Sequence, residues 1–453
     1  MSVPLDPTVI DAGVLVPDCV GIRLKGKLAE CAETPGLAPH TRALSLFLVN
    51  ERTPAQEPGR SDEQYVFQVK VALDFAAGFV ARADRSDEKA DDWDKNVSDL
   101  QFRARCEWAV GHNASVFVPN GVQHVTHVET TWLPRHEVRR IVTREEPSVE
   151  TSMEALANLP DGSAAQPKLL PLVSAYSAWQ LEQAKIPVDS AGTSKRREGT
   201  RDKLLQNAAR AAQRIRNGIE LLAHDGELFE AFVLANRSMA MAARRRRPDV
   251  EPKWRLFQLA FVLMSLPALA DPKHEDRDLV DLIFFPTGGG KTEAYLGVIA
   301  VTLLLRRIRS RKRADAGLGV AVLLRYTLRL LTLDQLGRAA TLVCALEELR
   351  RSSSGSLGDV RFSVGLWVGK SATANTMKQV AARILEYKAN LSGSPFPLTH
   401  CPWCQTELGR DSLALAPTRE KPHEVVVGCL SPACTFSAKR DPAGLPVLFR
   451  RQG

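Results

Sequence analysis

The spacing of hydrophobic positions changes twice over the first 250 residues. As far as about residue 146, short apolar runs at Arg42 to Val49, Tyr65 to Leu73 and Ser115 to Val118 are separated by Pro, Gly and Asp. That pattern predicts strands and a mixed, β-rich N-terminal domain over residues 1–146. The acidic stretch between Asp84 and Asp99 reads as a solvated loop. From Pro147 to Gly199 the chain turns to Pro, Ser and Ala, with weak helical segments around Thr151 to Asn158 and Ser174 to Lys185, which predicts a linker. After Thr200 the apolar positions Leu204, Ala208, Ala211, Ile215, Ile219 and Leu222 recur at helical spacing. Asp225-Gly226 interrupts that helix, and a second runs from Glu227 into Arg244-Arg245-Arg246-Arg247, ended by Pro248. The four arginines either contact phosphate or complement the dipole of the helix end. Residues 147–250 thus form a linker and helical region, with no internal repeat of fixed period.

Composition narrows the class. A chain of 453 residues, 44% hydrophobic and 25% charged, is neither disordered nor a disulfide-held miniprotein. Its net charge of +8 favours polyanionic partners. The apolar stretch Leu256 to Ala270, broken by Gln258 and Pro267, and the shorter Val298 to Leu305 cannot span a bilayer, and no secretory signal precedes them. The expectation is a cytoplasmic protein with no membrane partner, whose eight cysteines are free thiols or metal ligands. His112, His124, His127 and His136 fit no compact metal site and read as structural or exposed.

The segment Asp281 to Phe285 reads as a short buried strand, followed directly by Pro286-Thr287-Gly288-Gly289-Gly290-Lys291-Thr292 and a long apolar helix from Glu293 to Arg309. Strand, glycine-rich turn and helix is the setting in which backbone N–H groups and a helix N-terminus cradle phosphate. Gly288, Gly289 and Gly290 let the backbone approach phosphate oxygens, Lys291 would place its ammonium on the β- and γ-phosphates of ATP, and the Thr292 hydroxyl would ligate Mg²⁺. Phe285 stands where the strict phosphate-loop pattern has its first glycine, and the segment instead resembles motif I of superfamily 2 helicases. Gly319 to Leu324 would form the neighbouring parallel strand of a RecA-like sheet. It leads into Arg325 to Gln335, which looks like motif Ia, where Arg325, Thr327 and Arg329 would touch a sugar-phosphate backbone; an amphipathic helix start is the alternative. Phe362 to Gly369 has strand character and ends in Gly-Lys. In Trp254-Arg255-Leu256-Phe257-Gln258 the Gln258 amide could read both N6 and N7 of adenine, or the segment could be core.

Cys401-Pro-Trp-Cys404 and Cys429-Leu-Ser-Pro-Ala-Cys434 deliver four thiolates from two turns, the donor set of tetrahedral zinc. They predict a slightly irregular zinc ribbon at about 398–438, more a structural staple than a DNA contact.

Taken together, Phe285 to Glu293, Trp254 to Phe261, Arg325 to Thr332, Ala231 to Ala240 and Asp99 to His112 resemble the DrmA helicase subunit of DISARM anti-phage defence systems. The resemblance implies an ATP-dependent DNA helicase or translocase with ATP, Mg²⁺ and Zn²⁺ as cofactors, and DNA and other defence subunits as partners. The expected architecture is α/β: a mixed N-terminal domain, a helical linker, and at 251–453 a first RecA-like P-loop domain carrying the zinc ribbon. Motif I is followed by no convincing Walker B pair, because Glu347-Glu348 lies in a helical pattern. The expectation is therefore a front half truncated before motif II, with ATP hydrolysis near background. The alternative is a non-catalytic nucleotide- and DNA-binding module that assembles with a partner.

Overall fold

The computed structural model describes residues 7–31, 37–56, 59–82, 92–118, 124–133, 141–188, 194–283, 290–311, 317–325, 329–353, 355–366 and 376–448. They form two compact units, one of residues 1–140 with 186–203 and the other of 141–185 with 204–453.

In the first unit, helix α1 (Pro7–Ala12) precedes an antiparallel sheet of β1 (Val14–Leu15), β2 (Ile22–Glu30) and β3 (Arg42–Asn50). The register of β2 and β3 runs from Ile22 opposite Asn50 to Glu30 opposite Arg42. A Cβ at Gly26 would meet Leu46 and Ile10 at 2.6 and 2.7 Å, so glycine lets α1 lie against the hairpin. A second sheet has the order β4 (Ala72–Asp74), β6 (His127–Thr131), β5 (Ser115–Phe117). Of the strand expected over Tyr65 to Leu73 only the last two residues pair, because Gln68 adopts φ +55° and breaks the extended run. The acidic stretch is not a loop throughout. Asp92 accepts from the N–H groups of Asp94 and Lys95 and caps α2 (Trp93–Phe102). Asp99 on that helix meets Arg197 at 2.7 Å and Arg196 at 3.1 Å, and the Arg197 hydrogen bond, working against burial, holds its carboxyl below the usual range. His127 sits between Asp74 and Glu129, whose carboxylates raise its pKa. His136 lies outside the described residues.

The second unit is built on helices. α3 (Met153–Leu156) and α4 (Ala165–Lys185) come from the stretch expected to link, yet Leu156, Ala165 and Leu169 are wholly buried. α5 (Ser194–His224) gives its later turns to the same core, and α6 (Gly226–Arg246), α7 (Leu256–Ala270), α8 (Lys291–Arg309) and α9 (Arg329–Ser352) complete it. α6 starts where Asp225 accepts from the Leu228 N–H at 2.9 Å, in keeping with the Asp-Gly break in the sequence.

Two expected strands do not form within the described residues. Asp281–Ile283 and Gly319–Leu324 pair with no other segment, and Leu282 and Leu323 are 83% and 81% exposed. A strand exists only through its ladder of hydrogen bonds, and apolar run length cannot supply the partner. Phe284 and Phe285 lie outside the described residues. The third run does pair: β7 (Val364–Gly365) is followed by α10 (Met377–Lys388), the hairpin β8 (Leu413–Pro417) and β9 (Pro422–Val427), and β10 (Val447–Leu448), and β7 runs parallel to β10. The Gly369-Lys370 turn after β7 lies outside the described residues. The fold is mixed α/β, helix-dominated in the second unit and with small sheets in both.

Candidate metal centre and glycine-loop junction

The cysteine pairs converge as their spacing predicts. Cys401 and Cys404 flank a turn closed by the Gln405 N–H on the Cys401 carbonyl at 2.9 Å, and Gln405 itself takes φ +63°. In the second pair the Cys434 N–H bonds the Ser431 carbonyl at 3.1 Å, which folds the longer intervening loop back on itself. The four sulfurs all lie within 4.8 Å of one another, with Cys404 to Cys429 at 3.4 Å and Cys401 to Cys434 at 4.0 Å. Four sulfurs at zinc–thiolate distance from one tetrahedral ion stand about 3.8 Å apart, so the cluster could hold zinc. Burial raises the thiols of Cys401 and Cys434, the latter to about 12. At Cys404 burial acts the same way but is outweighed by hydrogen bonds, the Thr406 hydroxyl foremost, and the pKa falls to about 7.

The cluster is anchored in a core of its own. Trp403 packs edge-on against Phe436 at 6.0 Å, the guanidinium of Arg245 lies 4.4 Å over the Trp403 ring, and that of Arg351 lies 5.1 Å over Phe436. From α9, Thr341 donates to the Pro402 carbonyl at 3.0 Å, and Ala340 and Cys344 share the buried cluster. Three of the four consecutive arginines at the end of α6 make contacts within this unit. Arg244 makes a forked pair with Glu154 at 2.8 and 2.9 Å, Arg245 covers Trp403, and Arg246 stands 3.8 Å from Glu293. A cleft of about 670 Å³, lined by Glu154, Arg244, Arg245 and Trp403 among others, opens beside Cys404.

The second site is the start of α8. Of the glycines of the motif, Gly288 and Gly289 lie outside the described residues, while Gly290 takes the left-handed φ of +86° directly before Lys291 opens the helix. The left-handed φ strains any residue with a Cβ at this position, and that Cβ would also press on Gln258 Nε2 at 2.8 Å. Gln258, 3% exposed on α7, donates to the Gly290 carbonyl at 2.6 Å and accepts from the Arg255 N–H at 2.8 Å. Its amide is committed to backbone at both ends. The approach to the loop is held by Arg214 of α5, which donates to both carboxylate oxygens of Asp281 at 2.6 and 2.8 Å and to Asp276 at 2.7 Å. No sequence pattern pointed to Arg214; only its position among the arginines of an amphipathic helix was visible. Thr292 is buried on the first turn of α8, its hydroxyl 3.0 Å from that of Tyr295. Arg325 is exposed, Arg329 opens α9, and Thr327 lies outside the described residues.

Glu347, 1% exposed in α9, is spent on structure. It pairs with Arg350 at 2.7 Å and Arg351 at 3.1 Å and accepts from the Phe362 N–H at 3.2 Å. Burial drives its pKa up, but the two arginines prevail and hold it below the usual range.

The four-thiol centre and the glycine-to-helix junction thus lie in one mixed α/β unit. No protein-family model matches the chain. It is 29% identical over 443 residues to the DISARM protein DrmA of Bacillus paralicheniformis, an alignment covering 89% of this chain and 38% of that protein. The chain therefore resembles DrmA while spanning little more than a third of that relative's length. No helix among the described residues is long and apolar enough to cross a membrane.

Proposed function

We propose that this chain is the nucleotide- and DNA-binding portion of an ATP-dependent helicase or translocase subunit of a DISARM-type anti-phage defence system. The carrying observation is the junction at Gly290: a left-handed glycine, fixed by Gln258, opens a 19-residue helix with Lys291 and Thr292 in its first turn. A helix N-terminus favours a phosphate group, and a hydroxyl oxygen in that turn suits a hard cation such as Mg²⁺. In this reading residues 251–453 belong to a RecA-like domain, after an N-terminal domain at 1–146 and a helical region at 147–250. Gly288 and Gly289 complete the cradle, and Lys291 neutralises the β- and γ-phosphates. Gln258 orients the loop through Gly290; adenine recognition by the same amide requires one of its two backbone bonds to open. Arg325, Thr327 and Arg329 track the phosphate backbone of DNA, and the four cysteines hold zinc. When bound, Mg²⁺ offsets the negative charge of the triphosphate; the chain's own part is to bind and orient. Glu347 is held by Arg350 and Arg351 and is no substitute for a Walker B acid, so turnover by this chain alone is expected near background. Proteins of the rest of the defence system are the expected partners.

The test is a titration of the purified chain with ATP and, separately, with a single-stranded DNA oligonucleotide over a range of salt. ATP binding that Lys291→Ala weakens at least tenfold, and DNA binding that falls steeply with salt through counterion release, are the expected results. Absence of any ATP binding by the folded chain would sink the nucleotide reading. DNA binding indifferent to salt would sink the other.

A further inference from the structure

Glu293, the third residue of α8, brings a negative charge into the helix turn that a phosphate would approach. An acidic side chain there complements the helix dipole, and an anionic ligand competes with it for the same positive end. A glutamate at this third position commonly reaches back to the N–H of the capping residue, here Gly290, whose N–H a phosphate would need. The carboxylate does lie against the loop, since a Cβ built on Gly290 would stand 3.5 Å from Glu293 Oε2. Its other oxygen, Oε1, is held from two further helices, by a hydrogen bond from Arg338 Nη2 of α9 and by Arg246 Nη1 of α6 at 3.8 Å. The Arg338 and Glu293 side chains are 18% and 29% exposed, so solvent screens their attraction only in part. Arg338 also has a donor to spare, because its buried Nε has no hydrogen-bond partner. Two guanidiniums on one carboxylate leave positive charge in excess beside the helix start.

We infer that Arg338 is a positioning residue for a bound triphosphate: it holds the Glu293 carboxylate toward α9 and offsets its charge, so that the start of α8 stays open and positive toward phosphate. This rests on the reading of the Gly290 junction as the nucleotide site and goes beyond it. Without Arg338, Glu293 keeps the longer contact with Arg246 and can turn back to the Gly290 N–H. The carboxylate then occupies a donor that the phosphate uses and repels the ligand as well. The more negative the nucleotide, the larger that repulsion.

The experiment measures affinity for fluorescent analogues of ATP and ADP, for the unmodified chain and for Arg338→Ala, Arg338→Lys, Glu293→Gln and the Arg338→Ala/Glu293→Gln pair. The expected result for Arg338→Ala is about a threefold to tenfold loss of ATP affinity, the worth of one charge at a helix end, with a smaller loss for ADP. Arg338→Lys, which keeps the charge, should retain most of the binding. Glu293→Gln alone should bind ATP more tightly than the unmodified chain, so a poorly folding Arg338→Ala leaves the inference testable. In the pair, removing the carboxylate should restore what the loss of the arginine took away, because the arginine acts through the glutamate. If Lys291→Ala weakens ATP binding while Arg338→Ala does not, the inference falls and the nucleotide reading stands. An Arg338→Ala loss that Glu293→Gln fails to relieve, or one equal for ATP and ADP, would mark Arg338 as packing only and also overturn the inference. A folded chain that binds neither nucleotide overturns both.

Discussion

Arg214 illustrates how a single side chain can tie together residues more than 60 positions away in the chain. Its guanidinium serves two carboxylates at once, and Asp276 is almost fully buried while Asp281 begins the segment that leads into the glycine loop. A forked arginine–carboxylate pair is both directional and strong. Removing the arginine would leave the buried Asp276 charge, among the described residues, with Arg210 at 3.7 Å as its nearest remaining cation. Stranding a buried charge costs about 3 kcal/mol or more. Arg214→Ala is therefore expected to destabilise the second unit by roughly that amount, and to speed amide hydrogen exchange over Asp281 to Ile283. A change below about 0.5 kcal/mol, typical of exposed pairs, would show that the pair is not desolvated.

Among the helices, α5 comes so close to α7 at Gly218 that no side chain fits at that position. A Cβ on Gly218 would lie 1.9 Å from the carbonyl oxygen of Leu263. Backbone cannot yield as a flexible side chain does, so Gly218→Ala should force the helices apart and cost about 3 kcal/mol. Gly337 on α9 makes the opposite case, since a Cβ there meets nothing within 4 Å. Gly337→Ala should stabilise the protein by about 0.5–1 kcal/mol, through helix propensity alone. Denaturant midpoints of the two variants should move in opposite directions, and a shared direction would contradict this account of the packing. Both glycines look alike in the sequence, each within an amphipathic helical pattern. Their difference lies in what faces them, and for Gly218 that neighbour is 45 residues away in the chain.

For the whole molecule, the cysteine cluster is a second core rather than an appendage. Trp403, Phe436 and the buried thiols pack with Ala340 and Cys344 of α9 and Ala242 of α6. Structural zinc in small peptides contributes about 10–16 kcal/mol of apparent binding energy, most of which is folding energy. Zinc analysis of the purified chain should find one equivalent, and chelation should unfold residues 398–448 and loosen α9 with them, seen as new protease cleavage in both. Cys434→Ser should mimic chelation. A metal-free protein with four reactive thiols and unchanged protease resistance would refute the assignment.

What the sequence determined by itself is local chemistry. The pairing of cysteines across two turns and the Asp-Gly break that starts α6 each depend on residues a few positions apart, and each is found where its spacing placed it; α8 follows the glycines as expected but begins at Lys291, two residues before the Glu293 the sequence suggested. The tertiary structure alone decided the rest. Gln258 reaches Gly290 across 32 residues and Arg214 reaches Asp281 across 67, so neither partnership leaves a periodic trace. Gly319 to Leu324 has the composition of a strand but forms none among the described residues, whereas the two-residue β7 finds β10 more than 80 positions away. A strand is a property of two segments, and a buried amide takes the partner that the packed helices bring to it; both are fixed only when distant parts of the chain share one core.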